Sequence, residues 1–246
     1  MKRLRVALGC LTVLPVGATA TTREADLGGS FLWFPLVGLL IGVVLVGVNL
    51  TAIHVFPPLV VGACVLLAWI VVTGALHLDG LGDVCDGLCG GHTPEERLRI
   101  MKDPHLGAMA VVAIAALLLL KFALLSSIPQ VSMARALLLA PCIGRYAMVL
   151  LGTTLPYART GGGTGEAFVR SAKKRSLIGA TAMALPVSWV VLGPVGLGLF
   201  GLSIIGGLAL RSVFRHLLGG ITGDAMGATG ELMEVVMLLG VALARS

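Results

Sequence analysis

Charge is what this chain has least of. Aspartate, glutamate, lysine and arginine make up 12% of its 246 residues, about half the ~25% usual in soluble domains. No polar stretch is long enough to form a separate soluble domain, so residues 1–246 read as one membrane-embedded domain. Cysteine is also sparse. The five thiols are scattered and odd in number, which argues against a disulfide framework. What is abundant is apolar. The hydrophobic share is 57%, and 34 glycines suit helices packed closely in lipid, where small residues let backbones approach.

Apolar runs near 31–50, 58–76, 108–127, 134–152 and 228–243 predict spanning helices, each near the ~20 residues a bilayer core requires. A longer run, 177–210, is divided by Gly193-Pro194 into two shorter spans. The expectation is all-α: a polytopic membrane helical bundle of about seven transmembrane helices. The first 22 residues imitate a signal peptide, with Lys2, Arg3 and Arg5, then an apolar run, then Ala18-Thr19-Ala20. That run is short and broken by Gly9 and Pro15, so it reads instead as an amphipathic helix lying at the membrane interface.

The basic residues orient the bundle. They gather at the N-terminus, in 77–107 (Arg97, Arg99, Lys102), in 153–176 (Arg159, Arg170, Lys173, Lys174, Arg175) and at Arg211 and Arg215. Seven spans with the N-terminus inside put all four groups on the cytoplasmic face and the C-terminus outside. Lys121, Arg135 and Arg245 are exceptions, placed near outer span ends. The net charge of +6 is then a topology signal. Its partner is anionic membrane lipid rather than nucleic acid.

Only 12 residues are acidic, yet Asp79, Asp83 and Asp86 fall within eight positions of L-H-L-D-G-L-G-D-V-C-D-G-L-C-G-G, residues 76–91. The i, i+4, i+7 spacing stacks three carboxylates on one helical face. Like charges so placed repel unless a cation joins them, and a hard divalent ion with oxygen ligands, Mg²⁺, fits best. A zinc site from Cys85, Cys89, His77 and His92 has no standard knuckle spacing. A second acidic group, Asp224, Glu231 and Glu234, lies in residues 219–234, and Asp103 sits in I-M-K-D-P-H-L-G. The predicted topology brings both groups to one face beside several cations. A polyphosphate-handling site needs that combination.

At these residues the chain resembles the cobalamin synthase family. The matching pieces run almost end to end: L-T-V-L-P-V at 11–16, F-P-L-V-G-L-L-I-G at 34–42 and G-A-L-H-L-D-G-L-G-D-V-C-D-G-L at 74–88. E-R-L-R-I-M-K-D-P-H-L-G at 96–107, G-R-Y-A-M at 144–148 and G-I-T-G-D-A-M-G-A-T-G-E-L at 220–232 complete them. The resemblance implies a Mg²⁺-dependent transferase of the inner membrane, with its active site facing the cytoplasm. It would join adenosylcobinamide-GDP to α-ribazole or its 5′-phosphate and release GMP. On that reading Asp79, Asp83 and Asp86 hold the metal. Asp224 binds a second metal or takes the hydroxyl proton. His77 is either a base or a hydrogen-bonded interfacial histidine. Lys102 and Arg145 offset phosphate charge, and Asp103 and Glu231 complete the substrate contacts. The Gly161–Gly165 stretch is a phosphate nest or a flexible turn.

Two other classes share features. Asp83-x-x-Asp86-Gly87 also opens the signature of CDP-alcohol phosphatidyltransferases, but the Ala-Arg expected after it is replaced by Gly90-Gly91. Secondary transporters have broken helices and acids at the midplane. Here the acids gather toward one face and no inverted repeat is evident.

Overall fold

The computed structural model describes residues 2–16, 22–160, 162–163 and 165–244. Among them the fold is helical from end to end, with one isolated bridge between two loops. Ala18, Thr19, Ala20, Gly161, Thr164 and Arg245 lie outside the described residues.

The chain opens with α1 (Lys2–Leu11), then α2 (Glu24–Ser30), which continues through a 3₁₀ turn (Phe31–Trp33) into α3 (Phe34–Ala52). The amphipathic first helix is present and is built into the bundle. Val6, Ala7 and Leu11 are buried, Arg3 pairs with Asp26 at 3.2 Å, and the Val13 amide donates to Val72 O.

Pro58 starts α4 (Pro58–Thr73) at a position where a missing N–H is tolerated. The helix stops at Gly74 and Ala75, which both adopt left-handed backbone (φ 63° and 57°). Ala75 N–H bonds to Ile70 O and Gly74 N–H to Val71 O, the paired closure of a Schellman cap. The chain then leaves at 86° to the α4 axis as α5 (Leu76–Gly90). The acidic cluster therefore sits on a helix of its own rather than at the end of the second span. The short α6 (Pro94–Ile100) is closed by a reciprocal capping box between Thr93 and Glu96.

Two long helices follow, α7 (Ala108–Ser127) and α8 (Gln130–Thr154). α8 is the central post. It is buried along nearly its whole inner length and packs against α3, α10 and α11. After α9 (Glu166–Arg170) comes α10 (Lys174–Leu218), broken by non-helical Gly193 (φ 57°, ψ −137°). Its arms fold back on each other. Ser176 Oγ donates to Gly28 O near one end and Arg97 donates to Leu217 O near the other, both on the side of α2 and α6. Gly196 lies directly on the Ser188 carbonyl, where a Cβ has no room. The last helix is α11 (Gly223–Leu243), capped by Thr222 Oγ1, which accepts from Ala225 N–H at 3.1 Å.

By length and composition five helical stretches can cross a membrane, or six when the bent α4–α5 pair is taken as one span. The anticipated seven is reached only when the two arms of α10 are also taken separately. The chain is a multi-pass helical membrane protein.

Candidate active site

α5 and α11 approach closely at a glycine on each helix. A Cβ added at Gly80 would lie 2.8 Å from Asp224 Cα, and one at Gly227 would lie 3.1 Å from His77 Cα. Glycine on each helix thus brings the first acidic cluster against the second. Gly80→Val is expected to push the helices apart and remove most activity while the protein still inserts. Turnover and detergent-solubilised yield, measured together, check this.

A parallel bridge between Tyr157 and Ile221 ties the chain just after α8 to the segment that starts α11. Ala158 N–H donates to Ile221 O and Ile221 N–H to Pro156 O, each at 2.9 Å. The bridge carries Arg159 to Asp224, where Nη2 meets Oδ2 at 2.7 Å. The same nitrogen donates to Met101 O at 3.2 Å, and Nε is buried without a partner among the described residues. Arg159 therefore joins the loop after α8 and the loop after α6 to the first turn of α11. In the sequence it was one basic loop residue among several. The bridge that singles it out spans more than sixty positions.

The three aspartates of α5 divide their work. Asp79 lines a cavity with Asp224, His77 and Leu76. Asp83 feels Asp224, Asp79 and Asp86 as like charges and Arg159 as the opposing one. Asp86, the third expected ligand, is engaged by backbone N–H groups. Its oxygens accept Gly107 N–H (2.8 Å) and Ala110 N–H (2.9 Å), so it caps α7.

Among the described residues, no three His, Cys, Asp or Glu side chains gather closely enough to form a metal site by themselves. Mg²⁺ is a different case, because it is usually held by one or two carboxylates with substrate phosphates completing its shell. Asp79 and Asp83, one turn apart and opposite Asp224, supply donors of that kind.

The cavity measures about 340 Å³. Its polar side is His77, Asp79 and Asp224. Its apolar side comes from α1 (Val6, Cys10), the 3₁₀ turn and start of α3 (Phe31, Phe34), α8 (Met148), α9 (Phe168) and α11 (Met226).

Two predicted substrate contacts lie elsewhere. Arg145 and Glu231 are buried in the bundle and do not line the cavity. Arg145 pairs with Glu234, and Lys121 pairs with both Glu234 and Glu231, the latter at 2.6 Å. Lys121, expected near an outer span end, is 2% exposed and sits 4.5 Å over the Trp69 ring. Arg145 is as buried as it is because Glu234 neutralises it there, so it has no need to reach the surface. Arg145 Nη2 also lies 3.4 Å from His77 Nδ1. Guanidinium only donates, so Nδ1 is the acceptor and Nε2 carries the proton. In that tautomer Nε2 is a donor.

Lys102 and Asp103 are exposed on the loop that Arg159 anchors at Met101, outside the cavity wall. Hydrogen bonds from the backbone and ring of His105 hold the Asp103 carboxyl below the ordinary carboxylate range.

Known proteins give this site a context. The family described as cobalamin-5-phosphate synthase matches residues 3–242. This chain belongs to that family. Among curated relatives, the adenosylcobinamide-GDP ribazoletransferase of Pseudomonas paraeruginosa is 43% identical, covering 99% of this chain and 98% of its own. The proteins of that name from Pseudomonas aeruginosa (42%, covering 99% and 98%) and Acetivibrio thermocellus (37%, covering 97% and 96%) match similarly. No solved structure matches. The match spans every element that builds the cavity, from α1 to α11, so the family assignment applies to the whole site. Neither the phosphatidyltransferase nor the transporter alternative is favoured by it.

Proposed function

We propose that this chain joins adenosylcobinamide-GDP to α-ribazole or its 5′-phosphate, releasing GMP and forming adenosylcobalamin or its 5′-phosphate. The observation that carries the reading is the near-complete coverage, at about 40% identity, of relatives bearing that enzyme's name. Asp79 and Asp224 in the wall of one cavity, with Arg159 paired to Asp224, support it.

The reaction is a displacement at phosphorus. A ribose hydroxyl attacks the phosphate that stays with the corrinoid, and GMP departs with the bridging oxygen, the two oxygens roughly in line. Asp79 and Asp83 are the residues that would hold Mg²⁺, which when bound stabilises charge on the pyrophosphate. Asp224 lies at the cavity, placed to accept the hydroxyl proton once Arg159 turns to the phosphate. Arg159 Nη and Nε neutralise the remaining phosphate charge. His77 Nε2–H orients the ribose by donating to one of its oxygens.

On this reading the site faces the cytoplasm of a cell inner membrane. Inside-out vesicles supplied externally with both substrates and Mg²⁺ are expected to release GMP. Right-side-out vesicles are expected to release none until they are permeabilised. Equal release from both preparations would overturn the orientation. Uptake of corrinoid into vesicles without GMP release would favour the transporter class.

A further inference from the structure

We propose that the apolar half of the cavity seats the base of the acceptor nucleoside, a flat apolar bicyclic ring of the benzimidazole kind, and that α1 sets which bases fit. This rests on the transferase reading above and adds where, and by which residues, the acceptor is chosen.

Size decides first. At about 340 Å³ the cavity lies at the small end of the range for small-molecule sites, roughly 300–1,000 Å³. A nucleoside fits such a space. A corrin ring with its amide side chains and appended nucleotide is several times larger, so the donor must approach from outside with its pyrophosphate at the rim. Polarity decides next. Val6, Phe31, Phe34, Met148, Phe168 and Met226 offer no hydrogen-bonding side chains. Guanine has donors and acceptors on its edges, and burying them unpaired against this wall costs free energy. A benzimidazole has almost none to lose.

The wall also has the right form. Phe31 and Phe34 meet edge-to-face at 4.9 Å, and Phe168 tilts 48° from Phe31 with centroids at 6.2 Å. These rings present edges and faces against which a planar ligand packs. Base-in, ribose-out orientation then sets the sugar hydroxyls beside His77, Asp79 and Asp224, where the attack takes place. α1 closes the cavity through Val6, Gly9 and Cys10, with Gly9 leaving room for the ring. An N-terminal helix expected only to lie on a membrane thus becomes the element that gauges the base.

The test uses purified full-length protein in nanodiscs and variants at Cys10, which has no part in the transfer chemistry. Cys10→Phe fills the cavity beside the base. It is expected to raise the KM for α-ribazole phosphate about tenfold or more, the scale on which an apolar pocket discriminates by size. The KM for adenosylcobinamide-GDP should stay within about twofold, the scale of a change too small to count as discrimination. Preference should shift toward a nucleoside of the smaller imidazole. Cys10→Ala enlarges the same point with little risk to folding, and is expected to relax the preference toward tricyclic bases. Unchanged base preference in both variants, or a rise confined to the donor KM, would overturn the proposal. GMP release by the unaltered protein reports separately on the transferase reading. If that release is absent, equilibrium dialysis of α-ribazole against the unaltered and Cys10→Phe proteins still decides the subsite: tight binding lost in the variant supports it, and equal or absent binding refutes it.

Discussion

Asp83→Asn is expected to reduce GMP release by a factor on the order of 10²–10³, with expression and insertion unchanged. A carboxylate-held metal supplies several kcal/mol of transition-state charge stabilisation, and each ~1.4 kcal/mol is tenfold in rate. Asparagine keeps the shape of the side chain and removes the charge. Asp83 is only partly buried on α5 and faces Asp79, Asp224 and Arg159, so the helix loses no packing. Asp86→Asn is the informative contrast. Its oxygens cap α7, so its loss should cost about 1 kcal/mol of stability, as for a lost helix cap, and touch turnover less. Turnover and thermal midpoint measured on both variants separate the roles. Full activity of Asp83→Asn, or of the unaltered protein in excess chelator, would contradict the metal assignment.

Glu234→Gln is expected to be the most destabilising single change in the bundle. Glu234 is fully buried, and its two oxygens serve Arg145 and Lys121. Two cations, Lys121 and Arg145, and two anions, Glu231 and Glu234, balance in the interior. Removing one anion leaves an uncompensated buried positive charge, which costs about 3–5 kcal/mol. At roughly 2–4 °C per kcal/mol for a chain of this size, Tm should fall by about 6–20 °C. Restoring charge parity is the control. Lys121→Met with Glu231→Gln removes one charge of each sign and should cost less than the sum of the two single changes. With Cys10, Cys64, Cys85 and Cys89 replaced by alanine, a thiol-reactive dye reads the unfolding, because Cys142 on α8 is 1% exposed until the bundle opens. Loss of Glu234 should also lower activity indirectly, since Arg145 fixes the tautomer of His77.

Much of this arrangement was legible in the sequence, for physical reasons. Long apolar runs must be helices in lipid, because no other local structure satisfies their backbone groups there. Gly193-Pro194 marked the break in α10 because proline cannot continue the ladder and glycine can take positive φ. The spacing of Asp79, Asp83 and Asp86 correctly placed them on one helix. The turn between α4 and α5 was not legible, because Ala75 adopts φ 57°, a conformation its residue type does not announce. The ion network was hidden for another reason. Lys121 meets Glu231 and Glu234 across more than a hundred residues, and hydropathy sees a lysine only as an interruption in a span. Arg145 carried half the signal, since an arginine within an apolar helix needs a partner. The sequence offered phosphate as that partner, and the fold supplied Glu234. Arg159 was concealed among loop cations, and only the Tyr157–Ile221 bridge distinguishes it from the rest.

The most direct test of the central claim is phosphorus NMR on purified protein in nanodiscs, with adenosylcobinamide-GDP, α-ribazole 5′-phosphate and Mg²⁺. The pyrophosphate signals of the donor should decay as a new phosphodiester signal and an equal amount of GMP appear, and Asp83→Asn should leave the donor signals standing. GMP appearing without the phosphodiester, or no change with the unaltered protein, would contradict transfer at this site.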